Sequence, residues 1–177
     1  MLRKFFIAIG VLAVAIAGLL LYASTQPDTF RVQRAMIINA PAEKIYAILT
    51  DLRRGAEWSP YEKKDPAMKK TFSGPASGPG SKMEWDGNKE IGAGALTVAD
   101  ATPSKVTVKL DMTRPMQANN IVEYTLAPQG SATNITWSIH GPMTILSKVM
   151  CVFMDMDKMV GKDFEQGLRD LKALAEK

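Results

Sequence analysis

The C-terminal stretch, residues 153–177, constrains the fold more than any other part of this sequence. Its apolar side chains recur at steps of three and four residues: Phe153, Met156, Val160, Phe164, Leu168, Leu171 and Ala175. This spacing predicts a helix with one apolar face and an opposite charged face, on which Glu165 and Arg169 are placed for an i,i+4 ion pair. Such a helix needs an apolar surface to pack on, and the preceding hundred or so residues predict a sheet that supplies it.

Short segments that alternate between apolar and polar residues precede this helix. The alternation is clearest in residues 106–112, 122–126 and 135–139, which predict antiparallel strands with one buried and one solvated face. Four further segments bring the predicted number of strands to seven: residues 30–38, 68–73, 81–86 and 90–100.

A helical insertion is predicted after the first strand. Pro41 and Glu43 favour a helix start, and the apolar spacing in residues 45–52 predicts about three turns. Residues 55–65 predict a turn and a loop, because Pro60 and Pro66 forbid a long regular element there.

An apolar run of 18 residues, residues 5–22, follows Arg3 and Lys4. As a helix this run is about 27 Å long, enough to cross the core of a bilayer. A cleaved signal peptide, which would give a secreted protein, is the alternative; a site at Ala23 lacks the small residue two positions earlier, so an uncleaved anchor is favoured. The two basic residues predict a cytoplasmic N-terminus and a domain on the outer, periplasmic or extracytoplasmic, side.

Length and composition limit what the rest can be. The sequence divides into an anchor (residues 1–23), a polar linker (24–28) and room for one domain (29–177). The net charge of +4 is scattered along the chain, so no nucleic-acid partner is predicted. A single cysteine allows no internal disulfide, and with a single histidine it excludes the usual zinc sites. No metal and no cofactor are predicted.

The order of elements and four local segments resemble the START-like SRPBCC superfamily, in its polyketide cyclase/dehydrase-like branch. The segments are residues 38–45 (INAPAEKI), 58–61 (WSPY), 73–75 (SGP) and 154–164 (MDMDKMVGKDF). The resemblance implies an α+β helix-grip (START/Bet v 1-like) fold, in which a seven-stranded antiparallel curved sheet wraps around the long C-terminal helix. In this chain one transmembrane helix is predicted to precede that domain. The resemblance also implies a cavity for apolar ligands between the sheet and the final helix.

Aromatic and methionine side chains are the candidate ligand-binding residues of that cavity. A ring offers a large contact area at low entropy cost, and the flexible thioether chain of methionine repacks easily. The candidates are Trp58, Tyr61, Met83, Trp85, Met112, Tyr124, Trp137, Met156 and Met159. Ordinary core packing is the alternative role for each of them.

No catalytic residue is assigned from the sequence. His140 is the only histidine and has no nucleophile motif near it, so a solvated position at a strand end is favoured. Asp155 and Asp157 would point about 200° apart on a helix and could not share a metal ion. Asp155 is instead predicted to cap the start of the final helix.

The predicted function is therefore a membrane-anchored START-like domain that binds a small hydrophobic or amphipathic ligand, such as a lipid. The predicted partners are this ligand and the membrane, through residues 5–22. A polyketide cyclase- or dehydratase-like enzyme is the alternative, and a buried carboxyl group with a raised pKa would favour it. A non-catalytic domain that binds a protein partner is the third possibility, and an exposed apolar patch without a cavity would favour that one.

Overall fold

Seven antiparallel strands form one sheet in the computed structural model, which describes residues 2–177. The strands are β1 (Thr29–Ile38), β2 (Lys69–Ser73), β3 (Lys82–Asp86), β4 (Ala93–Thr102), β5 (Lys105–Arg114), β6 (Ala118–Gln129) and β7 (Ala132–Pro142). Their order in the sheet is β1-β7-β6-β5-β4-β3-β2, so β1 crosses to pair with the last strand while the others follow as hairpins. The predicted number of strands and their antiparallel pairing are confirmed.

Helices precede the sheet, follow its first strand and close the chain. They are α1 (Leu2–Ser24), α2 (Ala42–Thr50), α3 (Gly55–Trp58), α4 (Pro60–Lys64), α5 (Ile145–Phe153) and α6 (Met156–Ala175), with a 3-10 turn at Leu52–Arg54. The prediction of a turn and a loop over residues 55–65 is wrong in part: no long regular element forms there, but the stretch contains the short helices α3 and α4, and Pro60 begins α4. Proline fits the first turn of a helix, where its missing N–H is not needed.

The final helix begins three residues later than predicted. The side chain of Asp155 accepts a hydrogen bond from the backbone N–H of Lys158 at 2.9 Å, which confirms the predicted cap and fixes the helix start at Met156. The preceding residues form the separate helix α5, and Phe153 at its end is 74% exposed. Phe153 therefore does not belong to the buried stripe, which was predicted to include it.

The covered face of the sheet carries an aromatic row. The pairing register aligns Val106, Tyr124, Trp137 and Arg34 across β5, β6, β7 and β1, so their side chains share one face. α6 lies over this face, and the ring of Phe164 stacks on Trp137 with the centroids 4.0 Å apart and the planes 11° from parallel. Burying a side chain of this size contributes about 1.5–3 kcal/mol.

Gly167 allows α6 to approach the sheet closely. A Cβ atom at this position would lie 2.6 Å from Cζ3 of Trp137 and 2.9 Å from Cδ of Pro60, both closer than van der Waals contact. The helix therefore accepts a residue with poor helix propensity because only a glycine fits between the tryptophan ring and the proline.

Arg34 ties β1 to the N-terminal half of α6. Its guanidinium donates to Glu165 Oε1 at 2.9 Å and to both carboxylate oxygens of Asp157 at 2.9 and 3.0 Å. These hydrogen bonds, first to Asp157 and then to Glu165, raise the pKa of Arg34. The predicted pair of Glu165 with Arg169 is wrong, since Glu165 bonds to Arg34 and Arg169 donates to Gln166.

The helix α1 contains a span of 22 residues, Arg3–Ser24, that is long and apolar enough to cross a membrane or to act as a signal sequence. Its apolar side chains are exposed along most of its length, including Phe6 and Leu21. Its C-terminal end packs on the rest of the chain, where Ala23 is fully buried and α1 contacts α5.

Replacing Gly167 by alanine should destabilise the domain although alanine is the better helix former. We expect Gly167→Ala to lower the free energy of unfolding by about 1–3 kcal/mol, because the added methyl group overpacks the contact with Trp137 and Pro60. Urea unfolding followed by circular dichroism measures this change.

Gly161→Ala, in the same helix, is the matched control. Its methyl group would meet the end of the flexible Arg34 side chain, which can move. Losing partly exposed ion pairs costs about 0–1 kcal/mol, and the gain in helix propensity is of similar size, so we expect little net change. Equal destabilisation by both variants would contradict the role given to Gly167.

Candidate ligand-binding site

Four of the nine predicted ligand-binding residues meet beneath α6. The ring centroids of Trp58 and Trp137 lie 5.3 Å apart, those of Tyr124 and Trp137 lie 5.4 Å apart, and Trp58 contacts Tyr124 edge-on at 6.1 Å. Tyr61 packs beside them against the core, with Lys64 Nζ 5.7 Å from the centre of its ring. With Phe164 stacked on Trp137, this aromatic cluster fills the space between the middle of α6 and the sheet.

Three other predicted residues lie farther along the sheet. Trp85 pairs with Gly94, and Gly94 pairs with Met112, so these residues form a row across β3, β4 and β5. The ring of Trp85 lies over Gly94, where a Cβ atom would come within 2.7 Å of it. Met83 is buried two residues before Trp85 on the same face of β3. A ligand-binding role for this group stays a prediction, as it does for the aromatic cluster.

The remaining two predicted residues, Met156 and Met159, line clefts at the start of α6. Met159 is 52% exposed and lies in an open, charged cleft of about 470 Å³. The other residues of this cleft are Lys64, Asp155, Lys158, Lys162 and Asp163. Met156 lines a different cleft at the base of α1, which we call the junction cleft.

The junction cleft has a volume of about 320 Å³ and lies where α1, the linker, β1, α5 and α6 meet. Its lining consists of Tyr22, Gln26, Pro27, Thr29, Phe30, Met143, Lys148, Cys151, Val152 and Met156. Apolar side chains dominate this set, and the polar side chains are those of Gln26, Thr29 and Lys148. This volume is at the lower end of the range for small-molecule pockets, about 300–1,000 Å³, and suits a small ligand or part of a lipid chain.

Lys148 holds the linker against the wall of the junction cleft. Its Nζ donates to the carbonyl oxygen of Gln26 at 2.8 Å and to Asp28 Oδ1 at 2.6 Å, and the lysine itself is only 6% exposed. The backbone N–H of Met143 donates to the carbonyl oxygen of Asp28 at 2.8 Å. These three bonds connect the segment that leaves α1 to α5 and to the end of β7.

The same interaction shifts the acidity of Asp28. Its hydrogen bond and ion pair with Lys148 hold the pKa of this carboxyl group below the ordinary value of 3.8. The ion pair therefore contributes to stability above that pH and is lost as the pH falls through the lower pKa of the folded state.

Burial has the opposite effect on the two tyrosines of the aromatic cluster. Loss of contact with water raises the pKa of Tyr124 above the ordinary value of 10.0, and burial raises the pKa of Tyr61 as well. Both phenols therefore stay protonated at neutral pH and can act as hydrogen-bond donors but not as bases.

Several buried polar atoms have no hydrogen-bond partner within the described chain. They are Nε1 of Trp58, Trp85 and Trp137, and Nδ1 of His140. His140 lies near the end of β7 between Arg31 and Ile121 and is half-buried. Across residues 2–177 no three histidine, cysteine or acidic side chains come together in a way that could hold a metal ion.

Only Met156 of the residues that line the junction cleft is among the predicted ligand-binding residues. Residues 143–154 form a largely apolar stretch before α6 that contains one charged residue, Lys148. A single lysine in an apolar amphipathic segment was the available signal. Its meaning depended on Gln26 and Asp28, which are about 120 residues away in the chain.

The architecture defines the class of protein. A seven-stranded antiparallel sheet packed on a long C-terminal helix, with a helical insertion after β1, is the helix-grip (START/Bet v 1-like) fold, as predicted. The family described as "Polyketide cyclase / dehydrase and lipid transport" matches residues 29–176. The chain belongs to this family.

Solved structures share the fold at low sequence identity. Protein CV1439 from Chromobacterium violaceum is 18% identical with a TM-score of 0.59, over 86% of this chain and 99% of that one. The di-domain ARO/CYC StfQ from the steffimycin biosynthetic pathway is 10% identical with a TM-score of 0.60, over 84% of this chain and 51% of that one. Major latex-like protein 151 from Panax ginseng is 13% identical with a TM-score of 0.56, over 84% and 99%. A comparison with curated proteins finds no match.

Removing the hydroxyl group of Tyr124 should make the free energy of unfolding depend less steeply on pH in the alkaline range. Above pH 10.0 the unfolded chain releases the phenol proton while the folded chain retains it, so wild-type stability falls by about 1.4 kcal/mol per pH unit for this group. We expect Tyr124→Phe to lose one such contribution, and Tyr61→Phe/Tyr124→Phe to lose two. Urea unfolding between pH 9 and 11 gives the slopes, which would be unchanged if the phenol ionised equally in both states.

Replacing Lys148 by methionine should release the linker while leaving the core intact. Lys148→Met keeps the apolar stem and removes the donors to Gln26 and Asp28, a loss of about 1–3 kcal/mol in local stability. We expect faster amide hydrogen exchange at Met143, Gln26, Asp28 and Thr29, and unchanged protection in β6 and β7. Lys89→Met, at an exposed turn, is the control. Unchanged exchange in Lys148→Met would show that other contacts hold the linker.

Proposed function

We propose that this protein is a membrane-anchored START-like domain that binds a small hydrophobic or amphipathic ligand in the junction cleft. The observation that carries the proposal is the position of this cleft, since its lining includes the end of α1 as well as α5 and α6 of the domain. Farther along α6, Phe164 stacks directly on Trp137 of β7, so the space between the helix and the sheet is already filled there by side chains of the protein.

The location beside α1 supports a lipid or another membrane-soluble molecule as the ligand. A domain tethered at the membrane meets such molecules at a high effective concentration. A ligand that enters from the bilayer would pass from Tyr22 at the end of α1 to Val152 and Met156 without crossing water. Apolar contact with these side chains would supply the affinity.

The family description supports the same proposal. It joins polyketide cyclases and dehydrases with lipid transport, which share the handling of apolar molecules. The similar structure StfQ is an ARO/CYC protein of steffimycin biosynthesis. We extend to this chain only what these activities have in common, a site for a largely apolar ligand.

We further propose that residues 1–23 stay attached as the anchor, residues 24–28 are the linker and residues 29–177 are the ligand-binding domain. Arg3 and Lys4 favour a cytoplasmic N-terminus and a domain on the outer side. Signal cleavage and secretion remain the alternative. Contacts support retention, because Ala23 is fully buried and α1 contacts α5.

We prefer ligand binding over a cyclase or dehydratase reaction because of the pKa values of the carboxyl groups. An acid catalyst of that kind would be a buried carboxyl group with a raised pKa. Among the described residues, the carboxyl groups whose pKa departs from its ordinary value all shift downward: Asp28, Glu57, Glu123, Asp157, Asp170 and Glu176. A lowered pKa keeps each of these carboxyl groups ionised near neutral pH, so none of them holds a proton to donate.

Native mass spectrometry of the full chain, with extraction of lipids and metabolites from the same preparation, tests this proposal. We expect a bound apolar species that is released on denaturation, and we expect Met156→Trp to remove it by filling the junction cleft. Met159→Trp is the matched control, because Met159 lies on the same helix in the other, charged cleft.

The variants separate two kinds of failure. A ligand that survives Met156→Trp but is lost with Met159→Trp would move the site to the charged cleft. A wild-type chain that carries no ligand, and shows no thermal shift with added fatty acids or aromatic polyketides, would contradict the binding function itself.

A further inference from the structure

The helix α5 turns its apolar face outward. Ile145, Leu146, Val149, Val152 and Phe153 follow the i, i+1, i+4, i+7, i+8 spacing that places them on one side of the helix. Four of them are exposed: Ile145 at 50%, Leu146 at 57%, Val152 at 39% and Phe153 at 74%, while Val149 is half-buried.

The polar residues of α5 lie on its inner side. Lys148 is buried against the linker. Ser147 forms hydrogen bonds with Thr144, the residue that caps the start of the helix. Helices on the surface of soluble domains have the opposite arrangement, with the apolar side in the core and the charges in water. α5 therefore presents a surface suited to an apolar environment.

Two further apolar side chains are exposed in the chain that follows α5. Met154 and Met159, in the turn to α6 and in its first turn, are 40% and 52% exposed. The exposed lysines Lys158 and Lys162 line the cleft of Met159 together with Lys64, Asp155 and Asp163, and no salt bridge of the described chain includes Lys158 or Lys162. An apolar strip beside lysines matches the boundary between acyl chains and phosphate head groups.

The neighbour of α5 indicates what covers this surface. α5 contacts the C-terminal end of α1, and Tyr22 of α1 lines the junction cleft together with Val152. Tyrosine is common at the membrane–water boundary, and α1 enters a bilayer at this end if it is an anchor. The outward face of α5 then lies at the depth at which the bilayer begins.

We propose that α5 is an interfacial helix that lies in the surface of the bilayer crossed by α1 and gives the domain a second membrane contact. The inference rests on the anchoring in the proposed function. It goes further, because it fixes the orientation of the domain on the membrane and places the opening of the junction cleft against the lipid. A second copy of the chain or a protein partner on α5 would be the other ways to cover the same face.

Spin labels on the full chain in phospholipid vesicles, including anionic lipid, test the proposal. In a Cys151→Ser background, single labels are placed through Phe153→Cys on α5, Val14→Cys in α1 and Lys109→Cys on an exposed position of β5. Power saturation compares collision of each label with oxygen, which concentrates in lipid, and with a water-soluble nickel chelate. Phe153 and Lys109 are exposed, so neither change disturbs the core.

We expect the label at Phe153 to favour oxygen over the nickel chelate several-fold more strongly than the label at Lys109, and less strongly than the label at Val14. A label at Phe153 that collides with nickel as freely as the label at Lys109 overturns the inference while Val14 still reports a bilayer anchor. Low collision with both reagents also overturns it, because this result indicates a protein on α5. Nickel access at Val14 overturns the anchoring and the inference together.

Discussion

The close packing of α6 on the sheet is the contact on which the rest of the domain depends. Phe164 lies flat on Trp137, and Gly167 brings the same ring and Pro60 against the backbone of the helix. Because Pro60 begins α4, this contact also positions the short helices of the insertion, and through them Trp58 and Tyr61. The dense packing of aromatic side chains in the interior therefore depends on glycine, which has no side chain, at position 167.

That packing also decides where a ligand has room. The aromatic cluster fills the space under the middle of α6. The junction cleft therefore lies at the N-terminal end of α6, where Met156, α5 and the linker meet. Lys148 gives this end its shape by bonding to Gln26 and Asp28. A buried lysine thus connects three features that would otherwise be independent: the exit of α1, the cleft and the orientation of α5.

Much of the fold could be predicted from local patterns. Strand alternation, the turn residues between strands and the apolar stripe from Phe164 to Ala175 each depend on neighbours within a few residues, and the structure confirms these predictions. The errors fell where a side chain or a distant segment overrides the pattern. Asp155 caps the start of α6 and so leaves Phe153 outside the apolar stripe. Glu165 bonds to Arg34 on β1 and not to its neighbour Arg169.

By itself, the sequence determined the class of the domain, the apolar N-terminal span and the supply of aromatic and methionine side chains, because periodicity and composition are properties of the chain alone. Only the tertiary structure decided which of these side chains meet. It sorted the nine candidates into an aromatic core cluster, a row on the far strands and two clefts at the start of α6. The physical reason is that strand register and helix approach, set by contacts such as Trp137 with Gly167, join residues far apart in the sequence.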